Sequence, residues 1–287
     1  MLSLTFSTPV YLPIFARYFS RRGHYAVKDH VVEYGNENTG VYFRINYLKW
    51  RALSLIPVVK EALVEVNYVR PACFAVEAEM ETSALLARFR AKIHDPQILG
   101  MGDGPYSKQG FLNGWSFGNA YGVDKKLASQ PNASPLTMPT EKLTDSWLWN
   151  YRLPRNSVSA SGHFTPRIFY ALVAGDLATT ALWGWNVNTL LPRVDYVLLG
   201  RWTGVSEKPQ RVFRLVEWDR VSSHLIASGF RYREGGFAVD GAKNAPALSK
   251  LFAMGAEFDL KSLHRVALAD ILDAEQVQQA EEQRAKS

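Results

Sequence analysis

The sequence predicts an α+β fold, antiparallel β-sheet packed with helices, with a hairpin-rich N-terminal half. Three observations lead there. Val31–Tyr47, VVEYGNENTGVYFRINY, reads as two alternating strands around a Gly-Asn-Glu-Asn-Thr-Gly turn, whose Gly and Asn residues tolerate positive φ. Val194–Arg201 and Gln210–Trp218 flank a Gly204–Pro209 turn and form a second hairpin. Between them, Thr140 caps a helix in which Leu143, Trp147 and Tyr151 recur every four residues.

The other elements follow in chain order. Leu2–Ser7 is an opening strand, and Leu63–Tyr68 and Cys73–Met80 have strand length and apolar alternation. Pro71 separates the last two, marking a bend or a sheet edge. Thr82 or Ser83 starts a short helix with Leu85, Leu86 and Phe89 on its apolar face. Ile93–Gly122, with many glycines plus Pro96 and Pro105, reads as loop, although Tyr106, Phe111, Trp115, Phe117 and Tyr121 are core-type residues. Thr165–Pro166 opens either a helix through Gly175 or a buried strand. Asp219 caps a helix ending before Gly229, and Ala247–Met254 forms another. The charge-dense tail, Ala267–Ser287, reads as a solvated helix. The expected division is a strand-rich α+β half over 1–127, a linker or long loop over 128–140, and a second α+β half over 141–287 with the polar C-terminal helix.

Composition excludes several function classes. At 287 residues and 47% hydrophobic, the chain is long enough to bury one large core or two smaller ones. Cys73 is the only cysteine, so there is no internal disulfide and no cysteine-based zinc site; its apolar run predicts an inert thiol. The N-terminal apolar stretch has its arginines after it and is interrupted by Pro9 and Pro13, which is wrong for a signal peptide. No stretch reaches the length of a membrane span, so a cytoplasmic protein with no membrane partner is expected. The net charge of +6 is scattered, densest at Arg17, Arg21 and Arg22, and gives little support to a nucleic-acid groove.

Residue patterns for catalysis are absent from the sequence. No two of the six histidines stand three or four apart, the spacing that places two metal ligands on one helix face. The string Gly100-Met-Gly-Asp-Gly-Pro lacks the Gly-Lys-Ser/Thr ending of a phosphate loop, and with Pro105 interrupting it the strand–loop–helix setting of a dinucleotide fingerprint is missing too. Ser157, Ser159 and Ser161 precede His163 without a nucleophile-elbow pattern. No enzyme, no catalytic residue, no cofactor and no metal are therefore expected. Glu77, Glu79 and Glu81 alternate along the expected strand, which would place all three carboxylates on one face, opposite Phe74, Val76, Ala78 and Met80.

The series EYGNENTGVYFRINY, VNYVRPACFAVEAE, HDPQI and GFLNGWSFGN, within residues 30–122, resembles the immunity proteins of bacterial polymorphic-toxin systems. More narrowly it is similar to the TsiT-like group that accompanies type VI secretion nuclease effectors. The resemblance implies an antidote that binds a cognate toxin protein and performs no reaction. Contacts expected by exposure and chemistry are Glu37 and Asn38 at the first hairpin turn, the stripe Glu77, Glu79 and Glu81, Asp103 and Tyr106 in the glycine-rich loop, and Trp115. A DNA-holding nuclease presents a basic surface, so a basic antidote needs a local acidic patch or must act away from the groove. The alternative is a nucleic-acid-binding subunit of a ribonucleoprotein complex, using positive charge and aromatic stacking.

Overall fold

A computed structural model describes the chain except for residues 1, 51–56, 96–99, 103–104, 131, 133, 154–157, 160–161, 185–186, 204–209, 234, 242–244 and 286–287. In chain order, β1 (Leu2–Tyr11) leads into α1 (Leu12–Ser20), then β2 (Tyr25–Lys28), β3 (Val31–Gly35), β4 (Tyr42–Trp50) and β5 (Val58–Glu65). Helix α2 (Cys73–Phe89), β6 (Ala91–His94), α3 (Lys108–Ser129), β7 (Thr137–Met138) and α4 (Thr140–Tyr151) follow. Next come β8 (Ile168–Val173), β9 (Asp176–Gly184), β10 (Thr189–Pro192), β11 (Tyr196–Thr203), β12 (Gln210–Glu217) and α5 (Trp218–Ala227). The chain continues through β13 (Tyr232–Arg233), β14 (Gly236–Val239), α6 (Ala245–Met254), β15 (Ala256–Phe258), β16 (His264–Val266), β17 (Leu272–Asp273) and α7 (Ala274–Ala285). The class is α+β, with a fully antiparallel sheet in the N-terminal half.

Two compact units are present. The first is Met1–Thr144 with Leu268–Ser287, and the second is Asp145–Ala267. The expected boundary near 128–140 is thus displaced, and the tail belongs to the first unit. Its attachment is physical: β17 pairs with β7, and Leu272, Val277 and Ala280 are buried against Val123 and Leu127 of α3. Arg284 Nε also meets Asp124 Oδ1 at 2.6 Å. The apolar anchors in α7 are few, but they are docked, which corrects the solvated reading.

The first unit's sheet has the order β2-β3-β4-β5-β1-β6. The expected hairpin is β3–β4, in register from Val31↔Asn46 to Gly35↔Tyr42. Along β4, Phe43, Ile45 and Tyr47 point into the core, as period-two alternation requires. Pro13 falls in the first turn of α1, where a missing N–H costs nothing, and Phe15 and Phe19 are its buried face.

Two helices replace expected strand and loop. Cys73–Phe89 is α2, with Phe74, Ala78, Thr82, Leu85 and Leu86 buried at helical spacing. Its alanines, glutamates and leucines are strong helix formers, and only Val76 and Thr82 are β-branched, so propensity overrides the local alternation. It ends at Arg90, in the left-handed conformation (φ 51°), whose N–H donates to Leu86 O. Residues 108–129, read as loop and linker, are α3, capped by the Ser107 hydroxyl accepting from Gly110 N at 2.9 Å.

The second unit holds a six-stranded sheet in the order β15-β12-β11-β9-β8-β16, with β9 and β11 parallel, and a smaller sheet β10-β14-β13. The hairpin β11–β12 keeps an unbroken register from Tyr196↔Glu217 to Thr203↔Gln210; its expected turn at 204–209 lies outside the described residues. The segment after Pro166 is strand β8, and Asn150 fixes its start by exchanging two 2.8 Å hydrogen bonds with the Ile168 backbone. Helix α5 starts with Glu217 as its N-cap, so Asp219, the expected cap, sits in the first turn two residues further on. Ile168, Trp183, Leu191, Val197, Leu225, Phe237 and Leu251 build its core.

Candidate functional site

The expected acidic stripe is not a surface. Along a helix, Glu79 projects about 200° away from Glu77, while Glu77 and Glu81 share a face. Glu77 is 0% exposed, and its Oε1 accepts from Tyr34 Oη (2.6 Å), Asn36 Nδ2 (2.8 Å) and Thr39 Oγ1 (3.2 Å). The β3–β4 turn therefore clips onto α2 through one buried carboxylate. Glu79, 3% exposed, accepts from the Tyr106 hydroxyl and lies 3.8 Å from Lys108 Nζ. Glu81 Oε2 accepts from Arg22 Nη2 (2.5 Å) and Tyr25 Oη (2.7 Å). Burial and these carboxylates raise the Tyr25 and Tyr106 hydroxyls well above the ordinary phenol value. Burial, reinforced by the charges of Asp273 and Glu77, does the same to the Cys73 thiol.

The other expected contacts divide. Glu37 is exposed and Asn38 half-buried at the hairpin tip, with Asn38 N donating to Asn36 Oδ1 at 3.1 Å. Asp103 lies outside the described residues. Trp115 is buried in α3, its Nε1 donating to Asn67 O at 3.3 Å. One turn later Asn119 Nδ2 donates to Tyr68 O and to Arg70 O, the latter at 2.9 Å. These two side chains strap the segment 67–70 along α3. Gly110, Gly114, Gly118 and Gly122 stand four apart: the first two leave room for the Gly100 segment and the last two for 67–70, where Cβ atoms at Gly118 and Gly122 would meet the Tyr68 ring at 2.5 Å and Val69 Cγ2 at 3.0 Å. The Gly100 string does lie between a strand, β6, and a helix, α3, contrary to the sequence reading, and Gly100 N donates to buried Asp95 Oδ2 at 3.1 Å.

A different feature emerges at the sheet edge. Residues 1–28 contain no aspartate or glutamate, and neither do residues 82–94. The fold brings these stretches together: β1 pairs with β6, placing Thr5 opposite Lys92, and the rings of Phe15 and Tyr18 lie 5.8 and 5.3 Å from Phe89. Arg17, Arg21, Arg88, Arg90 and Lys92 are exposed there, and Arg22 is half-buried beside Glu81. Sequence reading found Arg17, Arg21 and Arg22 but not their partners from the second run; two acid-free stretches of unequal length were the available signal.

Further into the same sheet, separated from β6 by β5 and β1, β4 carries Tyr42, Arg44, Leu48 and Trp50, all exposed. Arg70 lies 5.7 Å from the Tyr42 ring and donates to its hydroxyl, and Lys60 Nζ sits 3.5 Å above Trp50. Acids enter this face: Glu33 contacts Lys28 (2.5 Å) and Arg44 (3.9 Å). The edge is thus basic, and the face is mixed and aromatic.

Among the described residues there is no group of three or more His, Cys, Asp or Glu placed to hold a metal ion. Nor, among them, is any helix long and apolar enough to cross a membrane. No protein-family model, curated protein or solved structure matches the chain.

Proposed function

We propose that this protein binds single-stranded nucleic acid, its backbone phosphates held along the basic edge formed by α1, the end of α2 and β6. The observation that carries this is the meeting of two acid-free arginine-rich stretches in one place, with Arg17, Arg21, Arg88, Arg90 and Lys92 exposed. Phosphate contact supplies sequence-independent affinity. Tyr42 and Trp50, each already stacked with a cation, offer ring faces of the kind on which unpaired bases stack.

The test is binding of a labelled oligonucleotide across a salt series. Roughly four phosphate contacts to a single strand give a slope of about −3 in log K against log salt, hence about 50-fold weaker binding between 50 and 200 mM. Neutralising Arg17 and Arg21 to glutamine reduces the slope by about 1.4. Absence of binding at low salt, or a slope near zero, rejects the proposal.

The antidote reading has a separate support. Tyr42, Leu48 and Trp50 form an exposed aromatic and apolar patch among paired charges of both signs, which is the composition of a protein interface. On this reading the face binds and neutralises a cognate secreted toxin, a nuclease effector in the resemblance described above. Burial of Glu77 and Glu79 removes the acidic stripe such an inhibitor would turn toward a basic groove, which is why the nucleic-acid reading ranks first. Co-expression with each neighbouring toxin gene product distinguishes the two: rescue of growth, lost in Trp50→Ala, supports the antidote, and no rescue from any of them rejects it.

A further inference from the structure

We propose that Tyr18, Arg22 and Arg88 form a phosphate-binding site within the basic edge, the point at which one backbone phosphate is gripped. The strand-bound form of this inference rests on the nucleic-acid reading above.

The Tyr18 hydroxyl is buried and, among the described residues, has no hydrogen-bond partner. Leaving such a group unsatisfied carries its full desolvation penalty. That cost disappears when a ligand oxygen accepts from it. Its surroundings select the sign of the ligand: the Arg22 guanidinium lies 5.2 Å from the Tyr18 ring centre, and the charges of both Arg22 and Arg88 act on the hydroxyl. Glu81, the carboxylate whose charge also reaches it, is engaged by Arg22 Nη2 and Tyr25 Oη. Because that salt bridge occupies one arm of the Arg22 fork, the guanidinium is held in place with further N–H donors to offer.

The ring itself is fixed. Tyr18 packs edge-on against Phe19 at 4.9 Å and Phe89 at 5.3 Å, and the Arg88 guanidinium stands 5.4 Å from the Phe89 ring. Phe89 thus joins the two acid-free stretches and sets Arg88 beside Tyr18. Burial raises the phenol above its ordinary value, so it keeps its proton and donates at neutral pH. One neutral O–H donor and two guanidinium groups suit a tetrahedral dianion or phosphodiester better than a carboxylate, which two-armed Arg contact alone would satisfy.

Calorimetric titration of the full chain with inorganic pyrophosphate tests the site directly. One saturable site per chain is expected, weakened about 5- to 10-fold in Tyr18→Phe and at least 10-fold in Arg88→Gln. The melting temperature of Tyr18→Phe should stay level or rise, since an unpartnered buried hydroxyl is removed; a fall would assign the hydroxyl a structural role and overturn the proposal. Absence of saturable heat in the wild type, or equal binding by both variants, also overturns it.

Oligonucleotide binding separates this inference from its premise. Tyr18→Phe should weaken the strand about 3- to 10-fold at an unchanged salt slope, whereas Arg88→Gln should lower the slope by about 0.7. A wild type that binds strands, with both variants indistinguishable from it, removes the site and leaves the nucleic-acid reading standing. A wild type that binds pyrophosphate through Tyr18 and Arg88 but no strand keeps the site and rejects that reading.

Discussion

Glu77→Ala should destabilise the first unit by about 3–5 kcal/mol in equilibrium urea unfolding, the largest single-residue loss expected from its polar groups. Three donors, Tyr34 Oη, Asn36 Nδ2 and Thr39 Oγ1, converge on Glu77 Oε1 in a fully buried setting. Alanine leaves all three without that acceptor, at a place where Tyr34, Asn36 and Thr39 are all buried. Glu77→Gln retains a carbonyl oxygen of the same reach, so it should cost only about 1–2 kcal/mol. The ordering of the two variants is diagnostic. An alanine variant within about 1 kcal/mol of the wild type would show that the turn is not held by this carboxylate.

Gly100→Ala should cost about 3 kcal/mol, by a mechanism that involves no hydrogen-bonding side chain. A methyl at Gly100 would lie 2.0 Å from Gly110 O and 2.8 Å from Gly114 N, all backbone atoms that cannot rotate away. Either the segment lifts off α3 or the helix bends. Gly122→Ala is the internal control. Its new methyl meets Val69 Cγ2 at 3.0 Å and Tyr68 Cβ at an ordinary 3.6 Å, while alanine gains up to about 1 kcal/mol of helix propensity, so the net change should stay within about 1 kcal/mol. Thermal melts of the two variants suffice. If Gly100→Ala melts with the wild type, the close approach of the two backbones is wrong.

The hairpins were legible because turn chemistry and alternation agreed locally. Val31–Tyr47 and the flanks of 204–209 each carry period-two patterning up to a Gly-containing turn, and both strand pairs are present. The helices α2 and α3 were missed because one local cue outweighed a longer-range one. In α2, three glutamates at alternate positions imitate a strand, while the helical spacing of Phe74, Ala78 and Leu85 needs a wider window to be seen. In α3, four glycines suggested loop; their spacing of four marks a packing stripe on a helix, filled by Tyr68, Val69 and the Gly100 segment.

The candidate site followed the same division. Arg17, Arg21 and Arg22 stand together in the sequence and were seen, whereas Arg88, Arg90 and Lys92 join them only through the β1–β6 pairing and the Phe89 contacts. Long-range pairing of that kind leaves no short-range signature. For Glu77 and Glu79 the failure was one of side: charge predicted exposure, but each found enough donors to be buried.

The return of 268–285 to the first unit has a consequence for synthesis on the ribosome. Residues 145–267 emerge as one continuous stretch and can fold at once, ahead of the segment that precedes them. The first unit, begun earlier, stays incomplete at Val123 and Leu127 until Leu272, Val277 and Ala280 have been translated. The unit begun first is therefore completed last, with Val123 and Leu127 of α3 lacking their partners until the tail has been made.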